Sequence, residues 1–115
     1  MMENCLFCKI AAGEIPSTKV YEDDEVLAFR DIAPQAPTHV LVIPKKHVSG
    51  WYDAKDESDA ALAHLMRAAA TVAKMEGLVE SGFRVVSNCG PNARQTVPHL
   101  HLHVLGGCGM SDGMA

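Results

Sequence analysis

The 115-residue chain lacks several features that mark whole classes of protein. No apolar run approaches the roughly 18 residues that a membrane-spanning helix needs. Residues 1–4 contain no basic region leading into a long apolar stretch, so we expect no secretory signal and a cytoplasmic location. Lysine and arginine total 10 against 14 acidic residues, a net charge of −4. Because phosphate-backbone binding relies on excess positive charge, we expect no nucleic-acid partner. The lack of a long apolar run predicts that the chain has no membrane partner either.

What remains is an ordinary globular composition, 48% hydrophobic and 21% charged. The length fits a single domain over residues 1–115 with one hydrophobic core. Cysteine is scarce, with four residues, and only Cys5 and Cys8 lie close together, as C-x-x-C. In a reducing compartment such a pair favours metal or redox chemistry over a structural disulfide.

Hydrophobic periodicity and turn residues predict the element order α, β, β, β, α, β, β. We expect a short helix over 5–12, capped by Asn4 and stopped by Gly13. The long helix is predicted over about 57–75, with Asp56 or Ser58 as its cap and Gly77 as its stop. Predicted strands cover 19–21, 26–30, 39–43, 83–87 and 99–105. The fold class is therefore α+β, a five-stranded, mostly antiparallel sheet covered on one face by the long helix. The small, polar tail 109–115 is expected to be mobile.

The strand predicted over 99–105 carries histidine at every second position, His99, His101 and His103. Period-two alternation sends these rings to one face of an extended strand and the intervening leucines to the other. Three side chains that titrate near neutrality on one face indicate a reaction centre or a metal site, rather than a surface strand or a tag remnant.

Antiparallel pairing of the strands that begin at His39 and His99 would bring His47 beside His99, and His39 near His101 or His103. His64 is not part of this predicted histidine cluster; it falls within the predicted long helix, and we interpret it as an ordinary helix histidine. Three alternate histidines could hold a catalytic zinc, but such a site leaves the cysteine pair unused. A structural zinc site accounts for both, with the ligands Cys5, Cys8, His47 and His99. The alternative is a pair of free thiols in a capped helix.

The run His99-Leu100-His101-Leu102-His103-Val104-Leu105 resembles the signature of the histidine triad family, H-φ-H-φ-H-φ-φ with φ apolar. The resemblance is to the Hint branch and extends over nearly the whole chain. It includes the segments Cys5-Leu6-Phe7-Cys8-Lys9-Ile10, Gly13-Glu14-Ile15-Pro16, Pro34-Gln35-Ala36-Pro37-Thr38-His39, Val42-Ile43-Pro44-Lys45-Lys46-His47, and residues 88–107.

This resemblance implies a homodimeric phosphoramidase that hydrolyses purine nucleoside 5′-phosphoramidates to a nucleoside monophosphate and an amine. By position, His101 would be the nucleophile that attacks phosphorus, giving a nucleotidyl-histidine intermediate. His103 would hydrogen-bond the phosphate oxygens, and His39 would support the nucleophile. Thr96, where relatives often carry serine, would contact the leaving group.

The resemblance also implies a nucleotide site. Asp31 would accept both ribose hydroxyls, while Asn88, Gln95 and the backbone N–H of Val97 would bind phosphate. The apolar slot for the base would be formed by Phe7, Ile10, Phe29, Ile32 and Leu41. Two other functions remain open, a dinucleoside polyphosphate hydrolase and a non-catalytic nucleotide- or zinc-binding module; His103 argues against a nucleotidyltransferase, whose motif ends in glutamine.

Two departures from the family pattern concern specificity. Arg94 stands where many relatives carry glycine, and it adds a cation that either aids phosphate binding, narrows substrate choice or is simply solvated. The tail after Gly107 lacks the aromatic and proline residues that in some relatives reach the partner subunit's site. Leaving-group preference is therefore left open by the sequence.

Overall fold

The computed structural model describes residues 5–113. Helix α1 spans Leu6–Ala11 and is followed by strands β1 (Lys19–Glu22), β2 (Val26–Arg30) and β3 (Thr38–Pro44). A 3₁₀ helix, Tyr52–Asp56, leads into helix α2 (Asp59–Met75), and strands β4 (Phe83–Val86) and β5 (Leu102–Gly106) complete the fold. All paired strands are antiparallel, in the spatial order β1-β2-β3-β5-β4. The predicted α+β fold is confirmed.

The sheet is covered on both faces, which explains why the central strands are almost continuously buried. Alternate residues of β2 and β3, such as Val26 and Val40, join the apolar face of α2 in one core. The residues between them, such as Leu27 and Leu41, join Phe7 and Ile10 of α1 in a second core on the other face. The histidines of the 99–103 segment lie on the α1 face, and α2 covers the opposite one. No helix among residues 5–113 is long and apolar enough to cross a membrane.

The ends of the helices follow local capping chemistry. Ser58 caps α2 by accepting the N–H of Ala61 at 3.0 Å, as predicted, and Gly77 follows the helix in a left-handed conformation. The predicted cap of α1, Asn4, lies outside the described residues. The cap position is occupied by Cys5, whose sulfur accepts the N–H of Cys8 at 3.3 Å.

The histidine strand is shorter than predicted, because β5 begins at Leu102 and not at His99. The segment before it is bent, and Leu100 donates its N–H to the carbonyl of Val48, beyond the end of β3. Alternation nevertheless survives: Leu100 and Leu102 are buried in the core under α2, while His99 and His101 face α1. The prediction of one histidine face was therefore right although its strand assignment was wrong.

Candidate active site and metal cluster

His101 is buried, with 4% of its surface exposed, and its ring is held in one orientation. Its Nδ1–H donates to the carbonyl of His99 at 2.6 Å, and the ring of Phe7 meets it edge-on at 5.1 Å between centroids. This partner fixes the tautomer, so Nε2 carries the lone pair. A neutral imidazole nitrogen that lines an open cavity is a competent nucleophile.

A chain of hydrogen bonds sets the tautomer of His103. The backbone N–H of Gln35 donates to Nδ1 of His39 at 3.0 Å, so the proton of His39 is on Nε2. That Nε2–H lies 2.8 Å from Nδ1 of His103 and 3.4 Å from a carboxylate oxygen of Asp31. The proton of His103 is consequently on Nε2, a buried atom that no acceptor within residues 5–113 reaches. The chain thus presents an unsatisfied N–H donor beside the His101 ring, 5.0 Å away between centroids.

Burial favours the neutral form of these rings. Loss of solvation lowers the pKa of His101 and His39 below the ordinary histidine value. Burial, followed by the charges of His101 and His39, lowers the pKa of His103 to about 4. The neutral forms are those in which His101 can attack and His39 can donate to His103.

A cavity of about 610 Å³ opens in front of His101 and His103. Its wall contains every residue predicted to form the base slot, together with the carboxylate of Asp31. These lining residues include Phe7, Ile10, Phe29, Ile32 and Leu41. Ile32 is fully exposed at the rim, whereas the other four are buried or nearly so. An apolar slot that ends at a carboxylate and histidines lying close together matches the polarity of a nucleoside phosphate, whose base is apolar and whose ribose and phosphate are adjacent and polar.

The loop before the triad separates the residues predicted to bind phosphate. Val97 lines the cavity in front of His101, as does Thr96, the predicted leaving-group contact, while Asn88 lines a second cavity on the other side of His103. Gln95 lines neither cavity. Its amide donates to the carbonyls of Ser49 and Val97 and accepts the N–H of Gly90, so it braces the loop.

The predicted zinc ligands converge on one point. Cys5, Cys8, His47 and His99 each offer one ligand atom, and these four atoms lie within 4.8 Å of one another. The sulfur-to-nitrogen distances are 3.3 Å for Cys5–His99, 3.5 Å for Cys8–His99 and 3.1 Å for Cys8–His47. In a tetrahedral zinc site the Zn–S bond is about 2.3 Å and the Zn–N bond about 2.05 Å, which places sulfur and nitrogen roughly 3.5 Å apart. The observed sulfur-to-nitrogen distances therefore fit a tetrahedral ion.

The second ring nitrogen of His99 holds the ring with Nδ1 toward the two cysteines. Its Nε2–H donates to the carbonyl of Pro44 at 2.8 Å, which leaves Nδ1 free to face the two sulfurs. Burial and the neighbouring Cys5 thiol raise the pKa of Cys8 to about 11, and burial lowers the pKa of His99 to about 4. A cation bound among these groups would supply the charge that thiolates need.

Sequence reasoning missed several residues that hold the site. Ser87 donates its hydroxyl to the carbonyl of His101 at 3.0 Å, and the indole N–H of Trp51 donates to Ser87. Arg84 lines the second cavity from β4. No motif marks these residues, although their contacts connect β4 and the 3₁₀-helix region to the triad.

Comparison with known proteins gives a consistent result. A family model described as the HIT domain matches residues 12–110. The chain is 46% identical to the purine nucleoside phosphoramidase of Escherichia coli strain K12, covering 93% of this chain and 90% of that protein. It is 54% identical to a 14 kDa zinc-binding protein of Zea mays, over 89% and 80% of the two chains.

A solved structure shows the same fold. The HIT family hydrolase of Legionella pneumophila Philadelphia 1 superposes with a TM-score of 0.91 at 54% identity, covering 94% of this chain and 96% of that one. The histidine spacing, the sheet order and the matched residues agree, and the chain belongs to the HIT, or histidine triad, family.

Proposed function

We propose that this protein is a purine nucleoside phosphoramidase, which hydrolyses nucleoside 5′-phosphoramidates to a nucleoside monophosphate and an amine. The observation that carries the proposal is the hydrogen bond from His101 Nδ1 to the carbonyl of His99, which leaves Nε2 as a nucleophile at the cavity that Asp31 and the apolar residues line. The phosphoramidase of E. coli, at 46% identity, supports the same reaction class.

In the proposed reaction His101 Nε2 forms a bond to the α-phosphorus as the phosphorus–amine bond breaks. The amine leaves with the bonding electron pair and takes up a proton from solvent near Thr96. Water then attacks the nucleotidyl-histidine, the phosphorus–His101 bond breaks, and the monophosphate is released. The Nε2–H of His103 donates to a phosphate oxygen throughout, and the backbone N–H of Val97 adds to this stabilisation.

We further propose that Cys5, Cys8, His47 and His99 bind a structural Zn²⁺ ion. The four donors are the kinds that a closed zinc site prefers, and a relative is named as zinc-binding. The ion would fix α1 to the segments that follow β3 and precede β5. His99 would then anchor the carbonyl that orients His101 without touching substrate.

Single-domain organisation, a homodimer and a reducing, cytoplasmic location complete the proposal. All four cysteines are free, which suits a reducing compartment. The outer face of α2 and the edge strand β4 expose Met66, Met75, Phe83 and Val85, apolar surface that a second subunit would cover. Sedimentation at micromolar concentration distinguishes a dimer from a monomer.

The ribose contact predicts a substrate-specific effect of Asp31→Asn. We expect this variant to raise KM for adenosine 5′-phosphoramidate about tenfold, because a carboxylate accepts a vicinal diol better than an amide does. For the 2′-deoxy substrate the increase should be smaller, since one of the two hydroxyls is already absent. Equal increases in KM for the ribo and deoxy substrates would contradict this role of Asp31.

The histidine pKa values predict the acid limb of the pH profile. Protonation of His101 removes the attacking lone pair, and protonation of His103 breaks its bond from His39. Because burial lowers both pKa values, in His103 to about 4, we expect kcat/KM to be flat through neutrality and to fall only below the ordinary histidine value of about 6.5. Circular dichroism at each pH controls for unfolding. A limb centred at or above 6.5 would contradict the assignment.

A further inference from the structure

A second cavity, of about 500 Å³, adjoins the nucleoside cavity at His103. His103 lines both cavities, whereas His101 lines only the nucleoside side. In a displacement at phosphorus the leaving group departs in line, opposite the attacking atom. A phosphate held by His103 and attacked by His101 therefore directs its leaving group away from His101 and toward the second cavity.

The wall of this cavity is positively charged in an acidic protein. It contains two arginines, Arg84 and Arg94, and no carboxylate among the described residues, although the chain has 14 acidic residues. Arg84 already donates to the carbonyls of Ser111 and Gly113, at 2.9 and 3.2 Å. Arg84 therefore contributes positive charge to the cavity, but two of its guanidinium N–H donors are already used in hydrogen bonds to the chain itself.

Arg94 is different, because no ion pair within residues 5–113 includes it. It is also the one non-glycine residue in that range with a positive φ, at 64°. Its N–H donates to the carbonyl of Pro91 at 3.0 Å, and the N–H of Gln95 donates to that of Gly90 at 3.1 Å, so a tight turn imposes this conformation. Glycine would adopt it without strain. A long cation at a strained backbone position, lining the same cavity as His103, points to a function for its side chain.

We infer that Arg94 makes the second cavity select leaving amines that carry an anionic group, such as the carboxylate of an amino acid. This inference rests on the proposed phosphoramidase function and specifies its substrate class. The guanidinium would form charge-assisted hydrogen bonds with the carboxylate of the departing amine. The nucleoside half of the substrate would occupy the cavity in front of His101.

The test compares two adenosine 5′-phosphoramidates of equal size, those of β-alanine and β-alaninamide, with unsubstituted adenosine 5′-phosphoramidate as reference. We expect wild type to favour the β-alanine compound over the β-alaninamide compound in kcat/KM by about tenfold, the scale of one partly exposed charged hydrogen bond. Arg94→Gly, which also relieves the backbone, should bring this ratio close to one. Arg94→Lys should retain part of it, and Arg67→Gln, an exposed arginine change on α2, should leave it unchanged.

A carboxylate-to-carboxamide ratio that is the same in wild type and Arg94→Gly would overturn the inference while leaving the phosphoramidase standing. An equal loss on both substrates in Arg94→Gly would overturn it too, since Arg94 would then act only through the loop. Failure of wild type to hydrolyse any of the three compounds would overturn the proposed function itself and the inference with it.

Discussion

His101→Asn is expected to lower kcat for adenosine 5′-phosphoramidate by at least about three powers of ten, in line with removal of a covalent nucleophile from other hydrolases. Asparagine has a side-chain N–H that can still donate to the carbonyl of His99, so the local backbone is disturbed little. It has no nitrogen lone pair that can attack phosphorus. Steady-state release of the amine and of AMP measures the loss.

His64→Gln is the matched control, because His64 is a histidine outside the site that pairs with Asp23 at 2.7 Å. We expect its turnover to stay within about twofold of wild type, since surface changes away from a site have small effects. Thermal unfolding of both variants separates a loss of chemistry from a loss of fold. Turnover by a folded His101→Asn protein at the wild-type rate would rule out His101 as the nucleophile.

Removal of the proposed metal is expected to have the largest effect on stability. Chelation, or Cys8→Ser, should lower the midpoint of thermal unfolding by more than about 10 °C, corresponding to a few kcal/mol in a chain of this size. The physical reason is that α1 has only six residues, too few to be stable alone. The thiols of Cys5 and Cys8 contact His99 and His47, so loss of the metal or of a thiol weakens the attachment of α1 to the rest of the fold.

Loss of the metal should also disturb the position of His101, because Phe7 of α1 packs against its ring. We therefore expect Cys8→Ser to lower kcat/KM as well as stability. Cys89→Ser, at an exposed free cysteine, is the control and should change neither. Metal analysis of protein purified without a tag that finds less than about half an equivalent, together with an unfolding midpoint unmoved by chelation, would remove the zinc proposal.

Local chemistry in the sequence was sufficient for most of the fold. Ser58 and Gly77 bound α2 because capping depends on the backbone within one turn, and the β-branched run of β3 needs no distant partner to be recognised. Pairing of β3 with β5 then placed His39 beside His103, as antiparallel geometry predicts.

Tertiary contacts account for what the sequence did not predict. Residues 99–101 lie outside the strand because the backbone hydrogen bond that joins them to the chain after β3 is, within residues 5–113, the single one from Leu100 to Val48, and no motif marks where that ladder ends. Gln95 reads as a phosphate ligand by position, yet its amide is engaged with the neighbouring loop. The left-handed backbone of Arg94 is likewise set by the turn and not by the residue itself.

The stereochemical course at phosphorus tests the central claim, attack by His101 through a covalent intermediate. Adenosine 5′-phosphoramidate made chiral at phosphorus with sulfur is hydrolysed in ¹⁸O-labelled water, and the configuration of the product is determined by NMR. Two successive in-line displacements, by His101 and then by water, predict net retention. Net inversion would show that water attacks the substrate directly, and it would contradict the nucleotidyl-histidine mechanism.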